Sequence, residues 1–434
     1  MQSYLIKSRK SISKISLIIS LTIIVILFQL VSIKGTAIYL EYIALALFMF
    51  VFVTSKKFEL LCVVLFLLPS NQYINFGNTS IITILVTFYF LRTLIFNIKL
   101  IHVPLLLLGM VLIGYTVLFG NFGTISIAIK TFLYLYFCID VFTEQNSTVK
   151  QKYTEGIKFL VIGIIVSSFI SVLLQPDVFN IRFSLAQGQS TNTLGILAGF
   201  AIGCILMLIQ NEHIYIKKAW LFTVVPLAAV GFLTQSRSFI FTILIAIVWC
   251  LVYGLSRLNK KQNFRFLMLL VGLCILLNFI INSNGQWAEV INNALDRIIN
   301  PKNNDISNSR FVIWSYYLNE FSQNNFILIF GKGTLMSSSL TQVAHNLWLE
   351  QLYLLGIAGN IIVISMFVVS IKYIYKKTRI KKLSLYGYLP LIMIFASSFF
   401  SHTFVAGADT IRFFLAVLAV GVFTKTPNRQ FTGI

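Results

Sequence analysis

ISLIISLTIIVILFQLVSI, residues 15–33, is a run of nineteen residues without one charged side chain. Two further runs, 102–119 and 264–282, carry at most one charged residue each. A helix needs about 20 apolar residues to cross a hydrocarbon core about 30 Å thick. Because a lone helix satisfies its own backbone hydrogen bonds in lipid, such runs are expected to be helical. The sequence therefore predicts an all-α, polytopic integral membrane protein.

By the same criterion, the whole chain contains about 12–14 transmembrane helices. The candidate spans are 15–33, 37–54, 58–70, 79–97, 102–119, 124–142, 157–175, 190–210, 218–234, 237–255, 264–282, 346–371, 385–402 and 409–423. They divide the chain into a bundle of about eleven spans (1–282), one large extracytoplasmic loop (283–344) and about three C-terminal spans (345–434). No small-residue cleavage site follows the first span, which is therefore expected to stay in the protein as its first helix.

The basic residues are unevenly divided between the two sides of the predicted membrane. Of the 34 lysines and arginines, 25 fall with five acidic residues on the side that holds both termini. The other nine fall with eight acidic residues on the opposite side. Because basic loops stay on the cytoplasmic side, both termini are expected in the cytoplasm. The net charge of +21 is thus topological and does not imply a nucleic-acid partner.

The loop 283–344 is patterned and is expected to contain short helices. In QWAEVINNALDRII (286–299) the apolar residues recur at helical spacing. This predicts an amphipathic helix lying at the membrane surface, with Trp287 at the headgroup level. A second helix is predicted from RFVIWSYYLNEF (310–321), and GKG (331–333) predicts a turn. A smaller outer loop spans 176–189.

Five arginines and four lysines remain on the outer side against the charge bias, so they need a reason to be there. Arginine grips phosphate oxygens with a planar, permanently charged fork. Arg182, Arg237, Arg310 and Arg412, together with Lys332 of the GKG turn, are therefore candidate ligands of a phosphate-bearing substrate. The alternatives are snorkelling to the interface, or ion pairs with acidic residues. Those acids are Asp177, Asp305, Glu320 and Asp409.

His345 and Asn346 stand at the outer mouth of the twelfth span. Imidazole is suited to general-base chemistry near neutral pH, and Asn346 is suited to orienting a hydroxyl or a sugar. Gly356 lies eleven residues after His345, about three helical turns, so both are expected on one face. Gly356 and Gly359 would let another helix approach closely below the histidine. The alternative is that His345 only packs at the helix end.

The sequence lacks the residue patterns that metal binding and nucleotide binding require. All five cysteines (62, 138, 204, 250 and 274) fall within predicted spans, where they are expected to be small buried hydrophobes. No His/Cys/carboxylate cluster with metal spacing occurs in the outer loops, and there is no Asp-x-Asp motif. GKGT lacks the earlier glycine of a nucleotide-binding loop. We therefore expect no metal and no cofactor.

The segment HNLWLEQLYLLGIAG (345–359) resembles the signature of the O-antigen ligase and Wzy-type polysaccharide polymerase family, His-Asn, nine residues, Gly, two residues, Gly. TQSRS (234–238) is similar to the family's arginine motif at an outer helix end. NSRFVIW (308–314), followed by FGKG (330–333), is similar to its arginine–tryptophan helix and glycine turn. The resemblance is specific over roughly 230–360.

The resemblance implies a glycosyltransferase whose donor is an undecaprenyl-diphosphate-linked oligosaccharide. The reaction would take place at the outer face of the bacterial cytoplasmic membrane, in O-antigen or capsule synthesis. It implies that arginines stabilise the leaving diphosphate and that His345 acts on the attacking hydroxyl. It also implies a chain-length regulator and a flippase as accessory partners. Polymerase and ligase differ in acceptor, a second lipid-linked repeat unit or the lipid A core. We expect the polymerase, because it needs no outer-membrane acceptor.

Two alternatives come from other classes. A flippase or other transporter of lipid-linked oligosaccharides predicts internal repeats and charged residues at mid-membrane, whereas here polar residues concentrate at one surface. A structural scaffold would leave the outer arginines without a role.

The predicted topology can be tested with single added cysteines. Asp305→Cys lies in the predicted outer loop and is expected to react with a membrane-impermeant maleimide in intact cells. Arg379→Cys lies in a predicted cytoplasmic segment and is expected to react only after permeabilisation. The unmodified chain is the control, because its own cysteines are predicted to be buried. Labelling of both variants in intact cells would contradict this orientation.

Overall fold

The computed structural model describes most of the chain, and every structural statement below concerns that part. The described residues are 13–35, 39–71, 74–76, 79–96, 102–120, 122–175, 179, 182–185, 190–210, 218–254, 268, 271, 278, 282–283, 285–299, 310–334, 343–378, 380, 384–399, 407 and 409–423. The predicted span 264–282 lies almost wholly outside them, as do its Cys274 and the Asn308 and Ser309 that precede the second loop helix.

The described chain is helical apart from one antiparallel pairing of two-residue strands, β1 (Asn75–Phe76) and β2 (Thr79–Ser80). The first half contains α1 (Lys14–Lys34), α2 (Tyr39–Thr54), α3 (Lys57–Leu67), α4 (Ile81–Phe96), α5 (Val103–Phe119), α6 (Phe122–Phe142), α7 (Val149–Leu174) and α8 (Thr191–Gln210). The second half contains α9 (Val224–Leu233), α10 (Arg237–Trp249), α11 (Gln286–Ile299), α12 (Arg310–Gln323), α13 (Asn325–Phe330), α14 (Leu347–Thr378), α15 (Leu389–Ser398) and α16 (Asp409–Val422). Short 3₁₀ turns occur at Leu68–Ser70, Lys218–Thr223 and Leu385–Tyr388, and a π turn at Cys250–Gly254.

Five helices are long and apolar enough to cross a membrane: α1, α6, α7, α8 and α14. Six shorter apolar helical segments accompany them in the described chain. The predicted all-α class is confirmed, and the composition of these helices is that of a membrane-embedded protein. The number of spans, from twelve to fourteen, stays a prediction, because several predicted spans are helices too short to cross alone.

The centre of the bundle is formed by α3, α7 and α16. α7 packs against α1, α3, α8, α9 and α16. Every residue from Asp409 to Val420 of α16 is buried, as is every residue from Leu60 to Leu67 of α3. A helix that is apolar all round is stable only where neighbours cover every face. At Gly163 of α7 a β-carbon would collide with the backbone of Phe66, so glycine sets the close approach of α7 to α3.

Charged side chains buried at the predicted cytoplasmic ends are paired. The ammonium group of Lys152 donates to the carbonyl oxygens of Phe142, at 2.8 Å, and of Glu144, which closes the C-terminus of α6. The carboxylate of Asp140 accepts from Lys57 and from the Tyr89 hydroxyl. A cation that satisfies terminal carbonyls also complements the negative end of a helix.

α14 is broken at Gly356, whose φ of 62° and ψ of −175° lie outside the helical range. The GKG turn packs into the break. Its own glycines have left-handed φ values, 82° at Gly331 and 70° at Gly333. The Lys332 amide donates to the Tyr353 carbonyl at 2.7 Å, and the Gly333 amide donates to the Leu354 carbonyl at 3.2 Å. The turn therefore takes the place of the helical donors that the break removes.

The remaining carbonyls around the break also have donors. The Tyr115 hydroxyl of α5 lies 2.7 Å from the carbonyl oxygens of both Leu355 and Phe330. The Asn360 side-chain amide donates to the carbonyls of Gln351 at 2.9 Å and Gly356 at 2.6 Å. An unpaired buried carbonyl costs about 1–3 kcal/mol. These donors remove that cost, so the break is compatible with a stable membrane helix.

The predicted arrangement of the two glycines is wrong in one respect. Gly356 does not lie on a continuous helical face with His345, because the helix breaks at Gly356 and His345 precedes the helix. What approaches Gly356 is the backbone of the GKG turn and of Ile329, with which a β-carbon would collide. At Gly359 another helix does approach, since a β-carbon there would lie 2.7 Å from the Tyr115 ring.

We predict that Gly356→Ala destabilises the protein. Positive φ with an extended ψ is a region that essentially only glycine adopts, so alanine there costs about 1–3 kcal/mol, and its methyl group collides with the GKG turn. The measurement is the thermal unfolding midpoint of detergent-purified protein. Gly114→Ala is the matched control, because nothing lies within 4 Å of a β-carbon at that position. Equal midpoints for the two variants would show that the break is not needed for the fold.

Candidate functional site at the His345 segment

His345 is held in the left-handed region, with a φ of 50°, just before α14 begins. A non-glycine residue rarely adopts this conformation, and holding it there costs about 1 kcal/mol or more. The Oδ1 of Asn346 accepts from the amides of Trp348 at 3.0 Å and Leu349 at 3.4 Å, which makes Asn346 the N-cap of α14. His345 is half-buried and Asn346 is buried.

Glu350 lies beneath this segment in the first turn of α14 and is 1% exposed. Its Oε1 accepts from the His345 amide at 2.7 Å, and the Asn346 amide also faces the carboxylate. The two amides and the positive end of the helix stabilise this carboxylate and offset part of the cost of its burial.

α12, the helix that Arg310 begins, packs against the same segment. The indole Nε1 of Trp314 donates to the Ala344 carbonyl at 2.9 Å. A small second core lies between α12, α13 and the start of α14. Its buried members are Ile313, Tyr317, Phe321, Ala344 and Tyr353. Arg310, half-buried at the start of α12, thus stands on the helix that fixes the histidine segment.

Lys332 of the GKG turn is already paired. Its Nζ lies 3.0 Å from Oε2 of Glu320, which also accepts from the Tyr353 hydroxyl at 2.5 Å. Burial by itself would lower the pKa of Lys332, but the hydrogen bonds and charge of Tyr353 and Glu320 outweigh it, so the pKa is raised. Lys332 therefore stays charged at neutral pH, and its charge is shared with Glu320.

A second polar group lies at the corner between α9 and α10. Oδ1 of Asn192 accepts from Nη2 of Arg182 at 3.2 Å and from the Ser236 hydroxyl at 3.0 Å. Nε of Arg182 lies 3.4 Å from the Thr234 carbonyl. The corner contains Gln235 at a left-handed φ of 46°. Arg182 is exposed here, and Arg237 is half-buried as the first residue of α10.

The small outer loop that carries Arg182 is attached to the bundle at three points. The Phe183 amide donates to the Leu233 carbonyl at 3.0 Å. The Ser171 hydroxyl donates to the Leu185 carbonyl at 3.0 Å, and the Gln175 side chain donates to the Ser184 carbonyl at 3.1 Å. These contacts place Arg182 against the corner that immediately precedes Arg237, although the two arginines are far apart in the sequence.

Arg412 stands apart from both groups. It is 3% exposed inside the bundle, with Nη2 3.1 Å from Oδ1 of Asp409 and Cζ 5.6 Å from the centre of the Phe200 ring. Within the described chain, its Nε and Nη1 have no acceptor. The ion pair with Asp409, one of the alternatives that the sequence left open, is thus present, and Arg412 does not lie on the outer surface.

The predicted amphipathic helix 286–299 is confirmed as α11, and its position at the membrane surface stays a prediction. Its apolar face is covered by α9 and α10, which buries Ala288, Val290, Ile291 and Ala294. The Trp287 ring packs edge-on against Phe179 at 5.3 Å. The predicted outer ends of α9 and α10 present an apolar surface to this face. α11 therefore covers the bundle next to the Arg237 corner.

The structure thus collects the sequence candidates into two groups. His345, Asn346 and Lys332 belong to one packed unit with the helix that Arg310 begins. Arg182 and Arg237 form the other group. Glu350 and Asn192 were missed in the sequence. An acid in the first turn after an Asn cap is a readable signal for Glu350, whereas nothing local marks Asn192.

A comparison with protein-family models gives no match, and a comparison with curated proteins gives none either.

Proposed function

We propose that this protein is a polysaccharide polymerase that joins undecaprenyl-diphosphate-linked repeat units at the outer face of the cytoplasmic membrane. The observation that carries the proposal is the packing of three separate segments into one unit: the Arg310–Trp314 helix, the GKG turn and the His345 segment. These are three of the four segments whose sequences resemble the ligase and polymerase family; the fourth, TQSRS (234–238), forms the corner of the other group. A chance likeness of three short motifs would not require them to share contacts.

The proposed reaction forms one bond, breaks one bond and transfers one proton. The oxygen of an acceptor hydroxyl forms a bond to the anomeric carbon of the donor glycan, and the bond from that carbon to the diphosphate oxygen breaks. The hydroxyl proton passes to the His345 imidazole, which acts as the base. The diphosphate leaves with the electron pair, and fixed positive charge stabilises it as it departs.

Arg182, Arg237 and Arg310 are the residues we assign to the diphosphate. They are exposed or half-buried, and Arg237 opens α10, whose N-terminus adds partial positive charge. Lys332 adds positive charge near the diphosphate, although part of this charge is neutralised by its ion pair with Glu320. Arg412 is buried in its pair with Asp409, so its contribution to the substrate would require that pair to open.

The alternative within the family is the O-antigen ligase, which would transfer the finished glycan to the lipid A core through the same donor chemistry. The product separates the two. A polymerase lengthens a chain of repeat units on undecaprenyl diphosphate. A ligase only transfers an existing chain to a new acceptor. In our proposal the chain-length regulator and the flippase act with the polymerase as separate proteins.

We predict that His345→Ala abolishes polymer formation while the protein still inserts, because no other group in the proposed mechanism accepts the hydroxyl proton. The measurement is the glycan ladder of a deletion strain complemented with each variant. A single repeat unit on the final acceptor is the expected result, and His213→Ala, on the predicted cytoplasmic side, serves as the control. A normal ladder would remove His345 from the mechanism. Full-length polymer left on undecaprenyl diphosphate would identify a ligase.

We predict that Arg237→Lys and Arg310→Lys each lower polymer yield at least about 10-fold, because an ammonium group cannot replace the bidentate fork of a guanidinium. Yield is compared at equal protein level in the same complementation assay. Arg257→Lys, on the predicted cytoplasmic side, is the matched control. Full activity of both outer variants would mean that these arginines only anchor helices at the interface.

A further inference from the structure

The conformation of His345 needs a cause, because the left-handed region is unfavourable for histidine. Asn346 already caps α14, so capping does not explain why the residue before it is strained. Strained residues persist where their surroundings overdetermine them, and they are frequent at functional sites. The groups that hold His345 in this conformation are therefore candidates for a functional role.

The peptide unit between Ala344 and His345 is held at both ends by different helices. Its carbonyl accepts from the indole of Trp314 on α12 at 2.9 Å, and its amide donates to Glu350 on α14 at 2.7 Å. The next peptide unit also faces the Glu350 carboxylate through the Asn346 amide.

These contacts fix the direction in which the His345 side chain leaves the backbone. When the peptide planes on both sides of an α-carbon are fixed, φ and ψ are fixed, and so is the bond from the α-carbon to the β-carbon. The holding groups are themselves packed. Glu350 is 1% exposed, and Trp314 is partly buried against the second core.

We propose that Glu350 and Trp314 are positioning residues, which aim the His345 imidazole at the acceptor hydroxyl by clamping the peptide units beside it. This inference rests on the proposed function, since it assumes that His345 is the base. Neither residue touches the substrate. A general base must lie within hydrogen-bonding reach of its proton, and a displacement of about 1 Å can cost on the order of 100-fold in rate.

The test compares Glu350→Ala and Trp314→Phe, which each remove one hydrogen-bonding group, with Glu350→Gln, which keeps an acceptor oxygen. Trp348→Phe is the matched control, because Trp348 stacks on Phe395 at 6.0 Å and its indole has no part in the clamp. Three quantities are measured for each variant: polymer yield, the unfolding midpoint, and the rate at which diethylpyrocarbonate modifies each histidine, followed by peptide mass spectrometry.

We expect Glu350→Ala and Trp314→Phe to lower polymer yield roughly 10- to 100-fold. We expect them to change the modification rate of His345 at least about threefold, with the rate at His213 unchanged. Glu350→Gln is expected to recover most of the yield, and Trp348→Phe to behave as wild type. A purely structural role would instead lower the unfolding midpoint and change the rates at all histidines together.

Wild-type yield in both Glu350→Ala and Trp314→Phe would overturn the proposal, as would an unchanged rate at His345. If Glu350→Ala fails to fold, Trp314→Phe decides the question, because a phenylalanine ring fills most of the same space. If the wild-type chain makes no polymer, the proposed function fails, and the modification rates still decide whether the clamp orients His345.

Discussion

The break in α14 at Gly356 is the constraint on which the outer part of this structure depends. Within a membrane helix each peptide group needs a partner, and here partners come from three directions: the GKG turn, Tyr115 of α5 and Asn360 of α14 itself. Because the GKG turn follows α13 and Tyr115 lies on α5, their hydrogen bonds tie α5, α13 and α14 together. The second core and the His345 segment are then built on this joint.

The same joint explains why the candidate residues divide into two groups. Lys332 sits in the turn that enters the break, and Glu320 holds it against Tyr353. His345 lies one helical segment before the break and is clamped from α12. Arg182 and Arg237, by contrast, depend on the corner between α9 and α10, which α11 covers. In the proposed reaction the first group would supply the base His345 together with Arg310 and Lys332, and the second group would add Arg182 and Arg237 for the departing diphosphate.

Much of the helical framework could be predicted from sequence, because hydropathy and periodicity are properties of short segments. α11 and α12 were predicted close to their observed bounds for this reason. α13, a helix of six residues between a cap and a glycine, was not predicted. The ion pair of Arg412 with Asp409 is three residues apart on one helix, so it was foreseeable as an alternative. The covering of α11 by α9 and α10 was not, because an apolar face looks the same whether lipid or protein will bury it.

The sequence by itself determined that the chain has the composition of a membrane-embedded protein, how its basic residues divide between the two predicted sides, and which groups are available for chemistry. Each of these follows from the transfer free energy and charge of local segments, whatever their neighbours are. The tertiary structure alone decided that Gly356 breaks its helix, that His345 is strained and that Glu350 and Trp314 hold it. Those features depend on hydrogen bonds between distant parts of the chain, such as Tyr115 with Leu355, 240 residues apart, and no local pattern records them.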